Sequence, residues 1–584
     1  MRILGISCFY HDAAAALVED GVVVAAAQEE RFTRRKHDPS FPRHAIDFCL
    51  RRAGVAAAEV DYAVFYEKPL LKLERIVLTA LRTFPRSWRA FGEFAGGWAG
   101  EKLWVKARIQ EALGIGPERV LFTEHHAAHA ASAFFCSPYR EAAVLTVDGV
   151  GEWTTTAAGA AVADWEGGGR SAIDLDREIR FPHSLGLLYS AFTAWLGFEV
   201  NEGEYKVMGM AAYGEPRHRD RVEKVVRVDE DGGFELDLDY FAFPYSAART
   251  YSRRFEALFG PPRDPRAPFA PGVGADRYYA DVAASVQAVL EDALLKAARH
   301  LHARTGHARL CLAGGVALNA VANGRLLRET PFEELFIQPA AGDAGGAVGA
   351  ALYACHAVLG RPRRYVMEHA YLGEEYPDGE AVDAFRAAGL SPTVYDDQAR
   401  LVERVAGDLA AGRVVGWAQG RFEWGPRALG NRSILADPRR AETRDVVNEK
   451  IKFREPFRPF APAVLEERAA EFFALDDPPR HHPARHMLLV VPWRPGMSAA
   501  APAVDHAGTA RLQTVPEGLN PRFRALVSAF DQATGVPMLL NTSFNLRGEP
   551  IVASPADALS TFARSGLDVL VCGNAVVRKE DAGG

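Results

Sequence analysis

The sequence predicts an α/β fold with two related lobes, followed by a second α/β unit. Short apolar runs of strand character alternate with stretches of helical periodicity. This plan occurs twice, once in roughly the first 160 residues and again around residues 280–355. The segment LGRPRRYVMEHAYLGEEYPDG then breaks the periodicity with Pro, Arg and Gly, which marks a domain boundary. A chain of 584 residues is also too long for one compact core.

Taken in order, ILGISC, AAAALV and VVVAAAQ read as three neighbouring strands, the last two joined by an Asp-Gly turn. The loop after the first strand carries Tyr10, His11 and Asp12. HAIDFCLRRAGV has helical spacing, VDYAVFY reads as a strand, and residues 69–113 read as a long helical stretch rich in Trp and Arg. RVLFTE is a short strand leading into EHHAAHAASAFF, and AAVLTVDGVGEWTTTAAGAAV is two strands with Asp148 at the tip. The Pro/Gly-rich residues 261–275 form a surface loop or lid, and a long amphipathic helix follows, ending near Gly306. RLCLAGGVALNAVANGRLL and ELFIQPAAGDAGGAVGAALYA each read as strand, glycine turn and helix. Beyond the boundary lies the second α/β unit, with a loop-like LDDPPRHHPARH.

Composition narrows the function. The chain is 48% hydrophobic and 24% charged, with a net charge of −7, which argues against a nucleic-acid protein of basic surface. No uncharged apolar run reaches about 18 residues, so no membrane span is expected. The His11-Asp12 pair interrupts the N-terminal apolar run, unlike a signal peptide. Six scattered cysteines without a CxxC pair disfavour a zinc ribbon and fit a reducing cytoplasm.

Three constellations carry chemistry. On a helix, His125 and His129 (i, i+4) or His126 and His129 (i, i+3) share a face and can share a divalent metal. No Glu separates His125 from His129, so the metalloprotease base is missing. Asp148 and Asp343 follow strands and have glycines beside them, which turns two carboxylates toward a ligand crevice. Two imidazoles with two carboxylates suit Fe, Mn, Co or Zn. Secondly, Gly314-Gly315 between a strand and a helix offers backbone N–H groups to a phosphate or nucleoside, with Glu204 and Lys206 near another loop. Thirdly, Arg427, Arg432, Lys450, Lys452, Arg454 and Arg458 crowd into one stretch and adjoin Gly and Pro turns. Basic groups held by turns suit a compact polyanion such as ATP or an acyl phosphate, and there is little of the aromatic interleaving that RNA would call for. Later in the chain Asn541, Ser543 and Asn545 follow an apolar strand and can bond a phosphate or a small planar acyl group.

Together the ordered segments GISCFYHDAAAALVEDG, EERFTRRKHD, HHAAHAASAFF, LTVDGVGEWTTT, GEYKVMGMAAYG, AGGVALN, GDAGGAVGAAL, WGPRALGNRSILADPR and LNTSFN resemble one family over nearly the whole chain. It is the ATP-dependent O-carbamoyltransferases of antibiotic and nodulation-factor biosynthesis, the NodU/CmcH type. The resemblance implies an actin/hexokinase-like, Kae1-like double lobe over residues 1–360, a linker over 361–380 and a YrdC-like α/β domain over 381–584. It implies a divalent metal, Fe2+ first with Mn, Co, Mg or Zn as alternatives, on His125, His129, Asp148 and Asp343. It implies a nucleotide site at Gly149, Glu204, Lys206, Gly314, Gly315 and Asn319. The KxR and SxN signatures of YrdC proteins match Lys452/Arg454 and Ser543/Asn545, joined by similarity by Arg427, Arg458, Arg511 and Asn541.

The implied reaction makes carbamoyl adenylate from carbamoyl phosphate and ATP, then transfers the carbamoyl group to a hydroxyl of a small-molecule acceptor, a natural product or sugar. His11 is the expected base. The expectation is a cytoplasmic enzyme that binds neither nucleic acid nor membrane, with a homodimer suggested by similar proteins. The rival readings are a fused tRNA threonylcarbamoyladenosine-type enzyme and a nucleotide-binding regulator of the same double-lobed fold.

Overall fold

The computed structural model describes residues 1–92, 102–267, 269–270, 273–455 and 457–580. The chain divides into two compact units: residues 1–10, 14–24 and 41–366 form one, and residues 11–13, 25–40 and 367–584 the other. Among the described residues no helix is long and apolar enough to cross a membrane.

The first unit is built by repetition. β1 (Arg2–Ser7), β2 (Ala14–Glu19), β3 (Val22–Gln28), β4 (Tyr62–Phe65) and β5 (Val120–Phe122) form a sheet in the order β3-β2-β1-β4-β5. β6 (Glu141–Val147), β7 (Thr154–Val162) and β8 (Ala172–Arg180) lead to a small ribbon of β9 (Val226–Val228) and β10 (Phe234–Leu236). β6, β7 and β8 then join β11 (Arg309–Ala313) and β12 (Glu334–Phe336) in the order β12-β11-β6-β7-β8. Both sheets follow one plan. The first strand of each pairs antiparallel with its successor (β1 with β2, β6 with β7) and parallel with a later strand (β4, β11) reached through helices. This is the repeated plan expected of an actin/hexokinase-like double lobe. Parallel pairing needs long crossovers, which is why strand clusters alternate with helices in the sequence.

Small residues let the layers meet. A Cβ on Gly5 in β1 would lie 1.8 Å from the Ala347 carbonyl oxygen of helix Gly345–Tyr353. A Cβ on Gly349 of that helix would lie 1.8 Å from the Ala128 oxygen of helix His125–Phe134. The alanines and glycines of both helices therefore permit backbone contact that larger side chains would block.

Two elements differ from the sequence reading. The long amphipathic helix begins earlier, at Gly274, and ends at Thr305 with Gly306 in the left-handed region at φ +69°. The stretch 69–113 is not one helix: Pro69–Arg82 and Val105–Leu113 are separate, with Pro85 between them lacking the N–H a continuing helix needs. Part of that expectation, residues 93–101, lies outside the described residues.

The second unit holds one nine-stranded mixed sheet. Its strands are β13 (Thr393–Val394), β14 (Val415–Ala418), β15 (Arg432–Ala436), β16 (Ala461–Leu465), β17 (Leu489–Pro492), β18 (Thr509–Val515), β19 (Met538–Ser543), β20 (Val569–Cys572) and β21 (Ala575–Arg578). They run β13-β21-β20-β14-β15-β19-β16-β18-β17. Leu401, Val405, Trp417, Phe523 and Phe530 centre a core in which helices Gln398–Ala410 and Pro521–Thr534 cover the sheet. Residues 25–40 bond into this unit. The Arg31 guanidinium donates to the Gly425 oxygen at 2.7 Å, and Arg34 donates to the Ile551 and Pro550 oxygens at 2.7 and 2.8 Å.

Candidate functional site

In the first unit, the histidine helix presents His125 and His129 on one face, and both are buried. Their Nε2 atoms stand 3.0 Å apart. Asp148 Oδ2 lies 3.1 Å from His125 Nε2 and 3.8 Å from His129 Nε2; Asp343 Oδ1 lies 3.7 and 3.6 Å from the same two atoms. One ligand atom from each of the four residues falls within a 4.8 Å cluster. Donors about 2.1 Å from a common ion stand about 3.4 Å apart at tetrahedral corners, so the spacing fits one divalent cation. The donor set of two imidazole nitrogens and two carboxylate oxygens suits Fe2+, Mn2+, Co2+ or Zn2+ better than Mg2+.

The electrostatics agree. Burial alone would lower the pKa of His129, but Asp148 and Asp343 outweigh it and raise the value to about 9. The carboxyl of Asp148 is held well below its usual range: burial opposes this, and bonds from His125 and His129 overcome it. Without a cation, these four buried groups retain a proton to balance two carboxylates. His126 plays another part. Its Nδ1 meets the Thr146 hydroxyl at 2.7 Å and its Nε2 meets the Thr154 carbonyl at 2.9 Å. Burial, with His125 and His129 nearby, lowers its pKa to about 3, so it stays neutral inside the core. Of the two pairs spacing allowed, the structure brings His125 and His129 to the aspartates.

Each ligand has a local cause. Asp148 directly follows β6, where its N–H donates to the Thr155 oxygen at 2.9 Å. Its Oδ1 accepts from the Gly315 N–H at 2.7 Å, which leaves Oδ2 for the histidines. Gly314 has φ +94°, and a Cβ there would lie 2.2 Å from the Val147 oxygen, so only glycine permits this turn against β6. Asp343 is not at a strand end as expected; it lies in the turn before helix Gly345–Tyr353, beyond the end of β12 at Phe336. Glu152, which sequence reading missed, accepts the His125 N–H at 3.0 Å and fixes the start of the histidine helix. Its only signal was an acidic residue in the glycine turn after Asp148.

The remaining nucleotide candidates of this unit have defined partners. Asn319 exchanges bonds with Gln287 at 3.0 Å both ways and caps helix Ala320–Glu329. Gln287 in turn bonds Glu291 and Tyr189, a buried polar network no sequence motif announced. Gly149 accepts from the Ser184 hydroxyl at 2.7 Å through its carbonyl. Glu204 accepts from Ser190 at 2.9 Å, and the Lys206 ammonium lies over the Phe198 ring, 5.5 Å from its centroid.

The second unit joins the two short signatures. Lys452 ends a helical turn, Val447–Lys452, and its buried Nζ has four oxygens around it. They are the Ser543 carbonyl (2.8 Å) and hydroxyl (3.2 Å), and the Asn545 carbonyl (2.9 Å) and Oδ1 (2.6 Å). Burial first, then the neighbouring cations Arg454, Arg458 and Lys36, push the Lys452 pKa well below that of an ordinary lysine. Arg454 bonds Asn448 Oδ1 at 2.7 Å and stacks over Phe460, and Arg458 pairs with Glu455 at 3.5 Å. Asn541, on the same face of β19 as Ser543, donates to the Ala428 carbonyl and to Gln513 Oε1. Ala428 follows Arg427, and Gln513 is two residues beyond Arg511 on β18, so these groups share one region. Two members of the basic cluster stand apart. Arg432 is buried and spends its guanidinium on the carbonyls of Ala553, Gln419, Asn431 and Gly420, and Lys450 is exposed. Lys36, from the N-terminal segment, was missed because its sequence neighbours place it with the first unit.

The model of the carbamoyltransferase N-terminus matches residues 2–352, and that of the carbamoyltransferase C-terminus matches residues 406–579. The chain belongs to the carbamoyltransferase family. This carbamoyltransferase is 46% identical to the uncharacterized protein sll1178 of Synechocystis over 99% of this chain and 97% of that one. It is 39% identical to the nodulation protein NolNO of Sinorhizobium fredii over 98% of this chain and 80% of the relative. A 3'-hydroxymethylcephem-O-carbamoyltransferase of Amycolatopsis lactamdurans is 36% identical over 45% of this chain and 48% of its own length.

In the carbamoyltransferase, His11 lies in the loop between β1 and β2, and its Nδ1 meets Asp12 Oδ2 at 2.9 Å. With the proton on Nδ1 facing Asp12, Nε2 can act as a base. It is an arrangement that can take a proton from a hydroxyl.

Proposed function

We propose that this carbamoyltransferase forms carbamoyl adenylate from carbamoyl phosphate and ATP and passes the carbamoyl group to a hydroxyl of a small-molecule acceptor. The carrying observation is the pairing, in one family member, of two opposite buried sites: an anionic His/Asp centre and a cationic Lys452 site. The relative named for O-carbamoylation of a hydroxymethyl group supports a hydroxyl acceptor. Six buried cysteines that form no disulfide accord with work in a reducing cytoplasm.

Lys452, Arg454 and Arg458, with Arg427 and Arg511, would neutralise the phosphates while water cleaves carbamoyl phosphate to carbamate and phosphate, and the carbamate oxygen then attacks the α-phosphorus of ATP as its bond to the leaving pyrophosphate breaks. Ser543, Asn545 and Asn541 hold Lys452 and the acyl end in place. In the first unit, the N–H groups of the Gly314–Gly315 turn, Gly149, and the Glu204, Lys206 and Asn319 side chains would bind the adenylate. His125, His129, Asp148 and Asp343 would hold a divalent metal, Fe2+ foremost, which when bound supplies Lewis-acid charge next to the departing phosphate. His11 takes the proton of the acceptor hydroxyl, its oxygen bonds the carbamoyl carbon, and the bond to AMP breaks with the electron pair leaving on phosphate.

The test is mass spectrometry of the protein with ATP, carbamoyl phosphate and each candidate metal. Carbamoyl adenylate should accumulate without an acceptor. Its absence with every metal would sink the reading.

A further inference from the structure

Asp12 touches two imidazoles. Its Oδ2 meets His11 Nδ1 at 2.9 Å, and its Oδ1 meets His37 Nδ1 at 2.7 Å. Each carboxylate oxygen thus has one imidazole, and all three residues belong to the second unit. The pieces are pinned by backbone bonds on both sides. The Ala13 N–H donates to the Asp38 oxygen at 3.0 Å, and the Glu29 N–H donates to the Ala13 oxygen at 2.8 Å. The His37 N–H donates to Glu30 Oε2 at 2.9 Å. Asp12 and His37 both take positive φ, +55° and +54°, a conformation uncommon outside glycine though better tolerated by Asp and His than by most residues.

We propose that His37 is a positioning residue for carbamoyl transfer, acting through Asp12 to hold His11 with Nδ1 protonated and Nε2 basic. The proposal rests on the reading of His11 as the base. A carboxylate bonded by one imidazole alone can rotate about its χ2 and offer either oxygen to solvent. The second imidazole occupies the other oxygen and fixes the plane of the carboxylate, and with it the tautomer and direction of His11. The same bonds keep Asp12 ionised: burial would raise its pKa, but His11 and His37 together hold it well below the carboxylate range. The motif is invisible as a unit in the sequence, because 25 residues separate Asp12 from His37.

The test uses the full-length protein labelled with 15N-histidine, with His11 assigned through the His11→Gln variant. In the unmodified protein His11 should show a single tautomer, protonated at Nδ1. His37→Leu should return it to a mixture, and His37→Asn, whose amide nitrogen can occupy the place of Nδ1, should restore the single tautomer. A single, unchanged tautomer in His37→Leu overturns the proposal. The functional arm follows the breakdown of carbamoyl adenylate with water as the acceptor. His37→Leu should slow it by about tenfold, as loss of a supporting shell does, while adenylate formation is retained. In the His11→Gln background, His37→Leu should add no further loss; an additive loss shows His37 acting apart from His11 and also overturns the proposal. Should the tautomer respond to His37 while His11→Gln leaves breakdown untouched, the reading of His11 as base fails, and the proposal with it.

Discussion

The His/Asp centre and the Lys452 site are both buried and both charged, with opposite sign. In the first, two carboxylates outweigh two imidazoles, and a proton is retained on His129 at a pKa of about 9. In the second, burial first and then neighbouring cations push the Lys452 pKa well below that of a free lysine. An interior that concentrates like charge without a counter-charge is costly, so the proposed function would complete each site with a ligand of opposite sign. The first calls for a cation and the second for a polyanion. The difference also shows in construction. The cationic site spends its oxygens on orienting Lys452, while the anionic site spends a glycine turn on orienting Asp148.

The largest expected effect breaks the first site alone. Asp343→Asn should weaken Fe2+ or Mn2+ binding by at least about 100-fold in calorimetry, since removing a ligand costs more than removing its support. Adenylate formation in the second unit should survive. Lys452→Ala is the mirror experiment: adenylate formation should fall by about 100- to 1000-fold, with metal affinity unchanged within about twofold. If either substitution abolishes both activities, the division of labour is wrong.

Protons sharpen the contrast. Because the pKa of His129 is raised to about 9, its contribution to stability in the metal-free protein is full below its unfolded value and is lost as pH rises through about 9. Metal binding at pH 8 should therefore release about one proton, and affinity should fall about tenfold per unit as pH drops below that pKa. Titration in buffers of different ionisation enthalpy measures this. At the Lys452 site the sign reverses, since a bound polyanion raises the lysine pKa and proton uptake is expected. The smallest effects concern support. Gly349→Ala should cost about 1–3 kcal/mol in denaturant unfolding by forcing the two small-residue helices apart. His126→Ala should cost about 1–3 kcal/mol by removing its bonds to the Thr154 carbonyl and Thr146 hydroxyl and leaving a cavity in the core, with metal affinity within a few-fold. A large loss of metal in His126→Ala would reopen the choice among the three histidines.

Much of the fold was legible because periodicity is local. The three opening strands, the glycine turns and the long helix all stand where the residue pattern puts them, apart from the earlier start at Gly274. The helical reading of 69–113 holds for Pro69–Arg82 and Val105–Leu113 but gave no break between them, because one missing N–H at Pro85 is a weaker sequence signal than a run of leucines. Of the sites, Lys452 with Arg454 and Ser543 with Asn545 were singled out by the resemblance to short signatures rather than by spacing, and the structure brings Lys452 to Ser543 and Asn545. Arg432 was misleading: its charge is as visible as that of Lys452, but four backbone carbonyls consume it.

The sequence by itself determined the residue types: imidazoles one helical turn apart, aspartates beside glycines, and a basic stretch held by turns. These follow from helix pitch and from the conformations that only some side chains permit. Tertiary structure decided what residue spacing left open: which two of three histidines face Asp148 and Asp343, that Asp12 binds a histidine on either side, and that residues 25–40 belong to the C-terminal unit. Those choices depend on contacts between segments far apart in the chain, where closing a long loop costs little more than closing a short one. Spacing along the sequence therefore carries almost no record of them.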